Sequence, residues 1–390
     1  MGVKPTVVAP FFLSSFAWNV ALGMTFILIP LYARSLGMSG VQIGTLISLP
    51  VVFQIIFTLL GGALADRVGG KNMAMAACVM TGFAGLVFMA SAGFASMLAA
   101  QFMMVIARAI FWPATWSLAS QIPGNSGKQM GRLNAFTNAG QIAGTTAAGF
   151  IIGYAGFGVG FAVMAAAAFA ALAFNQMYRF AATVPRTSDE SVFTTYRMLF
   201  NKRVMRYTMV CAYISSLPIA LSFSFYPILL VEQGFDADAT GSLISLRAVG
   251  AIAAGFFAGS FVARTRGIGT PLVSAIVVGL SVASGAAMAQ PVLIGLFLFV
   301  LGAASSVMIL YFQLLIGSVS SAESRGSAMA LGNVGWGISL LATPFAMGVL
   351  QDLIGIKAAF YSMGGFAVLC GLALVPLQRW ALVADRDHAI

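Results

Sequence analysis

Long apolar stretches alternate with short polar breaks along the whole 390-residue chain. A helix needs about 20 apolar residues to cross a bilayer. By that measure the pattern predicts twelve spanning helices, at residues 8–32, 41–65, 73–92, 95–120, 132–155, 159–181, 206–231, 240–263, 271–290, 292–317, 327–350 and 356–378. The longest polar interruption, RTSDESVFTTYRMLFNKRVMR at 186–206, divides them six and six. The expected organisation is an N-terminal six-helix bundle at 1–182, a central loop at 183–205, and a C-terminal six-helix bundle with a short tail at 206–390. The first apolar run is too long for the core of a cleavable signal and reads as a spanning helix.

The second half repeats the first. At an offset of 197 residues, Pro30 meets Pro227, Gly37 meets Gly234, Gly44 meets Gly241, and Leu46–Leu49 recurs as Leu243–Leu246. The same register places Gly62 over Gly259 and Arg67 over Arg264. A second match, at offset 195, aligns Gly131, Asn138, Gly140, Phe150 and Gly153 with Gly326, Asn333, Gly335, Phe345 and Gly348. Apolar composition alone produces Leu and Ile coincidences, but co-registered Pro, Gly, Asn and Arg are harder to obtain by chance. The fold expected is an all-α membrane protein of two pseudo-symmetric six-helix bundles, built as parallel repeats.

Composition agrees: 60% of residues are hydrophobic and 8% charged, against about 25% charged in soluble domains. The net charge of +10 is spread singly between apolar runs, so it reads as a topology signal and not as a nucleic-acid surface. With the N-terminus placed in the cytoplasm, 16 of the 20 Lys and Arg fall on inside segments, which puts both termini there. That distribution predicts an integral membrane protein. Cys78, Cys211 and Cys370 lie in apolar segments without metal-ligand spacing, and His388 sits in a polar tail, so neither a metal nor a cofactor is expected.

Between the second and third predicted helices runs GGALADRVGGKNM, residues 61–73. It resembles the signature loop of the major facilitator superfamily, with Gly62, Leu64, Asp66, Arg67, Gly69 and Lys71 matching and Gly70 replacing the usual basic residue. The resemblance covers nearly the whole chain and implies a twelve-helix secondary transporter. It also implies that Gly62, Asp66, Arg67, Gly69 and Lys71 act as a conformational latch. In the second half the Asp66 position is Ala263, so such a latch is asymmetric. Arg108 falls where many facilitator proteins carry a base in the fourth helix, although Trp112 stands where Gly is usual. Gly131, Gly140 and Gly144 keep the spacing of the family's antiporter motif, with its Pro replaced by Thr145.

Two arginines lie inside predicted helices: Arg108 about 13 residues from either end, and Arg247 some seven residues into its helix. A central Arg costs about 2.5–3.5 kcal/mol on insertion scales, so each needs an acceptor away from lipid. All ten carboxylates lie in loops or at helix ends. What remains is backbone, side-chain amide, water or a bound anion. For Arg108 a structural hydrogen bond near Asn19 or the Gly23 backbone competes with a solute role. Arg247 has Pro50 as its first-half counterpart, so it stands outside the shared scaffold and is the charge expected to hold the solute or gate its passage. Arg suits planar bidentate anions such as carboxylates. Other candidate solute contacts are Asn19, Asn138, Gln141, Gln313, Asn333, Tyr226, Tyr311 and Trp336, and Gln54, Trp112 and Trp116 also lie at depth. Asn138 and Asn333 occupy equivalent repeat positions. The alternative for any single amide is an interhelical hydrogen bond worth about 0.6 kcal/mol.

The function expected is transport of a small solute, an organic anion being favoured, by alternating access in antiport or symport. Its partners would be that solute, membrane lipid and a coupling proton or counter-anion, with no nucleic acid and a monomeric state. The rival is proton-coupled multidrug efflux, which lacks its usual intramembrane carboxylate here. A lipid or lysolipid translocator is a third reading. An enzyme would need a nucleophile, metal cluster or carboxylate pair at depth. No GxxxxGK[ST] motif supports ATP-driven pumping.

Overall fold

A computed structural model carries the fold and describes residues 8–57, 69–120, 122, 126–178, 192–257, 267–320 and 325–386. The helices, in chain order, are α1 (Ala9–Ser35), α2 (Gly40–Ser48, resuming at 51–57 after a turn), α3 (Gly70–Ala90), α4 (Phe94–Ser120) and α5 (Ser126–Met177). They continue with α6 (Val192–Asn201), α7 (Arg203–Ser222), α8 (Tyr226–Glu232), α9 (Ala237–Phe257), α10 (Gly269–Ala287), α11 (Pro291–Val319), α12 (Arg325–Ile354) and α13 (Ile356–Arg386). Local chemistry sets their starts. Pro10 opens α1, where its missing N–H costs nothing. Ser39 and Gln42 form a capping box at α2, each side chain taking the other's backbone N–H.

Among the described residues ten helices are long and apolar enough to cross a membrane. One of them, Lys128–Met177, holds 50 residues and breaks at Gly156, whose φ of 79° lies outside the helical region, so it makes two crossings. Adding α9, which carries Asp238 and Arg247, gives twelve. Two expectations change in detail. The predicted seventh helix is two pieces, α7 and α8, because Pro227 lacks the N–H that would continue the ladder across Phe223–Phe225. The central loop is not all loop, since it contains α6.

The repeat is visible in the backbone. Gly37 and Gly234 both adopt positive φ (76° and 93°), ending α1 and α8, and Gly156 and Gly355 (79° and 82°) mark equivalent helix junctions. The second alignment reappears in packing. A Cβ on Gly140 would lie 3.2 Å from the Phe16 carbonyl carbon on α1, and one on Gly335 would lie 2.7 Å from the Met209 carbonyl carbon on α7. Each half thus seats its fifth helix against the backbone of its first through a glycine.

By packing, the chain divides into two units, Met1–Thr187 with Phe223–Ser245, and Ser188–Ser222 with Leu246–Ile390. In the first, α1 lies along α5, and α3 packs on α4 and α5. In the second, α7 is surrounded by α11, α12 and α13, and α10 packs on α11 and α13.

Candidate functional site

In the first unit the central feature is Arg108, midway along α4 and only 8% exposed. Its Nη2 donates to Gln54 Oε1 at 2.5 Å, and its guanidinium lies 5.7 Å from the centre of the Phe223 ring. The acceptor is therefore Gln54 and not Asn19 or the Gly23 backbone, both of which are engaged elsewhere. Asn19 Oδ1 accepts from Gln141 Nε2 (3.2 Å) while its own amide donates to the Ser15 carbonyl (2.8 Å). The Gly23 carbonyl accepts from Thr145 Oγ1 (3.1 Å). A polar seam thus runs along the α1–α5 contact, and Thr145, standing where the antiporter motif has Pro, is part of it.

A guanidinium offers five N–H donors. Among the described residues Arg108 has one side-chain acceptor, Gln54, and no carboxylate. Aromatic rings follow on the same helix at Phe111, Trp112 and Trp116, and Trp18 of α1 joins them. Trp18 stacks on Phe111 at 3.7 Å and 11°, Trp112 meets both edge-on, and Trp116, 45% exposed, follows one turn later. The Trp18 indole N–H is satisfied by Thr81 Oγ1 at 3.0 Å. Asn138 is half-buried and donates to the Asn134 carbonyl of its own helix. Tyr226 is buried at the start of α8, and Ser245 pairs with Thr146 at 2.8 Å.

In the second unit Arg247 is buried at 5% exposure on α9. The helix backbone around it abuts α11, where Gly302 leaves room for the Arg247 carbonyl. Asn333 and Trp336 are half-buried on α12, and the Trp336 carbonyl accepts from Ser216 Oγ (3.1 Å). Tyr311 sits in the unit's core, its hydroxyl accepting from Gln378 Nε2 (2.9 Å) and meeting the Tyr207 hydroxyl at 3.5 Å. Gln313, two residues on, is exposed.

Of the signature loop, Gly62, Asp66 and Arg67 lie outside the described residues. Gly69 caps α3 with φ 85°, and Lys71 donates to the Tyr178 carbonyl at the end of α5 (2.5 Å), with its Nζ 5.0 Å from that ring's centre. A cation at a helix C-terminus is favourably placed for the macrodipole.

Sequence reasoning noted Gln54 as polar at depth without assigning it a partner, and it missed Phe223 altogether. Periodicity shows which residues share a helix but not which side chain on another helix they meet.

Twelve apolar crossings in a two-fold repeat, with a guanidinium and amides held at depth, define a membrane transporter architecture. The sequence model described as Major Facilitator Superfamily matches residues 11–267 and, again, 208–387. The chain belongs to that superfamily. Among curated proteins it is similar to the quinolone resistance protein NorA of Staphylococcus aureus (strain Mu50 / ATCC 700699), at 23% identity over 134 residues. That match covers 34% of each protein, so the chain spans about a third of this relative's length. Among solved structures it resembles a point mutant of the nucleoside transporter NupG (TM-score 0.82, 13% identity, 95% of this chain and 99% of that one). It also resembles a bacterial homologue of the human lysosomal transporter Spinster, in an inward-facing and unoccupied conformation (TM-score 0.75, 14% identity, 99% and 98% of the two chains). At these identities the structural matches speak for the fold alone.

Proposed function

We propose that the protein is a secondary transporter that carries a small organic anion by alternating access, with Arg108 as the principal charge that receives the solute. The observation behind this reading is the guanidinium of Arg108, held at depth with, among the described residues, Gln54 as its one side-chain acceptor and no carboxylate beside it. A planar carboxylate on the solute would take two of the remaining donors at once. Phe223 and the Trp112–Trp116 pair would supply apolar walls, which keep the ion pair dry and hence strong. Arg247 is the second candidate charge, and Asn138, Asn333 and Trp336 are candidate polar and aromatic contacts in their own units. Asn19 and Gln141 would act by positioning α1 on α5. The loop from Gly62 to Lys71 would serve as the latch. In this reading the termini are cytoplasmic, the membrane is a bacterial inner membrane, and a proton or counter-anion drives the cycle.

A second reading, export of drugs, is favoured by the local similarity to NorA. One experiment separates them: thermal-shift measurements on the purified protein with carboxylates, phosphates, cations and amphipaths, repeated on Arg108→Ala and Arg247→Ala. The anion reading predicts stabilisation by particular carboxylates or phosphates, lost in the Arg108 variant. Stabilisation of all three proteins by cationic amphipaths, with no response to anions, favours drug export.

A further inference from the structure

The second unit carries a feature that solute transport does not use. Arg203, the first residue of α7, and Arg206, one turn later, both lie over the indole of Trp380 on α13, with guanidinium carbons 5.2 Å and 4.9 Å from the ring centre. Two like charges on one ring repel each other, and the indole's quadrupole offsets only part of that. Arg197 on α6 and Arg379 beside Trp380 add two more exposed bases. None of these four arginines has a carboxylate partner among the described residues.

The depth of this cluster is set by the spans. Arg203 begins the apolar span Arg203–Ser222, and Trp380 is the penultimate residue of the span Ile356–Ala381, so the cluster sits at a membrane boundary. The short helix α6 lies at the same end. Its inner side packs Leu199 (4% exposed) and Tyr196 against the unit's core, and burial pushes the Tyr196 phenol above its ordinary value. Outward it leaves Met198 (56% exposed) and Phe200 (46% exposed) next to Arg197. A short helix with exposed apolar residues interleaved with bases lies in a headgroup layer and not in bulk water.

We infer that Arg203, Arg206 and Trp380, flanked by α6, form a binding site for the headgroup of an anionic phospholipid. The phosphate is received by the two guanidinium groups, and the acyl chains run beside Met198 and Phe200. A free inorganic phosphate shares the charge but has nothing to place against those side chains. The bound lipid would fix α6 to the membrane surface.

The test is native mass spectrometry of the purified full-length protein titrated with phosphatidylglycerol or phosphatidylcholine of matched chains, with inorganic phosphate tested in parallel by thermal shift. The wild type should bind phosphatidylglycerol at least tenfold more tightly than phosphatidylcholine. Arg203→Gln with Arg206→Gln should weaken phosphatidylglycerol by about thirtyfold, two bases at a membrane surface being removed. Lys357→Gln, which removes a charge where α13 begins, should leave the preference intact. Equal binding of the two lipids by the wild type overturns the proposal even if the double variant fails to fold. So does a preference that survives the double substitution, or stabilisation by inorganic phosphate that matches that by lipid.

Discussion

The approach of α9 to α11 gives a substitution whose outcome can be worked from the structure. A Cβ on Gly302 would lie 2.7 Å from the carbonyl carbon of Arg247 and 3.1 Å from the Ala251 nitrogen, with the Arg247 carbonyl oxygen closer still. These are backbone atoms, so no side chain can rotate away. Ordinary carbon–carbon contact is about 3.5–4.0 Å, so the two helices must separate by about 1 Å. Overpacking of this kind costs about 1–3 kcal/mol. Gly302→Ala should therefore lower the melting temperature of the purified protein by about 1–4 °C, at about 1.2 °C per kcal/mol for a chain of this length. It should also displace the backbone that carries Arg247. The control is on the same helix. Gly317 has nothing within 4 Å of its virtual Cβ, so Gly317→Ala gains helix propensity, up to about 1 kcal/mol, without a clash. Thermal unfolding followed by a thiol-reactive dye on the three buried or half-buried cysteines reads both variants. Opposite shifts are expected. If Gly302→Ala melts with or above the wild type, the close approach is not the contact that holds these helices.

Three further outcomes follow from individual contacts. Thr81→Val should cost about 1–3 kcal/mol because it orphans the buried Trp18 indole N–H, while Thr81→Ser should restore most of it, both read by thermal unfolding. Glu232→Gln removes the ion pair with Arg34, whose side chains are 47% and 36% exposed; the loss should stay below about 1 kcal/mol and shrink with added salt. Gln54→Leu and Arg108→Met should couple in a double-mutant cycle by about 1.5–3 kcal/mol, since a hydrogen bond to a charge joins them; additivity would deny that contact any energetic role.

The crossings were legible because a membrane demands one uniform property, some twenty apolar residues, which a sequence displays directly. The repeat was legible for a related reason: Gly37 and Gly234 must both adopt positive φ, and Gly140 and Gly335 must both admit a backbone, so the two halves keep glycine at matched positions. The break between α7 and α8 was foreshadowed by Pro227, yet the surrounding run Ser222–Tyr226 reads as apolar enough to continue a helix. Least legible were side-chain partners. That Arg108 needed a non-acidic acceptor followed from where the carboxylates lie. That the acceptor is Gln54, with Phe223 beneath, depends on how α2, α4 and the turn before α8 come together, which no periodicity encodes. Asn19 and Gln141 show the same limit: each could be placed at depth, but not bonded to the other.

The central claim is that the Arg108 charge receives a negative charge on the solute. It is tested most directly by taking the carboxylate that best stabilises the wild type and its uncharged amide isostere, and measuring binding of both to the wild type and to Arg108→Gln by calorimetry. The wild type should prefer the carboxylate by tenfold or more, and Arg108→Gln should bind the two alike. A preference of unchanged size in Arg108→Gln, with the protein folded, would contradict the account.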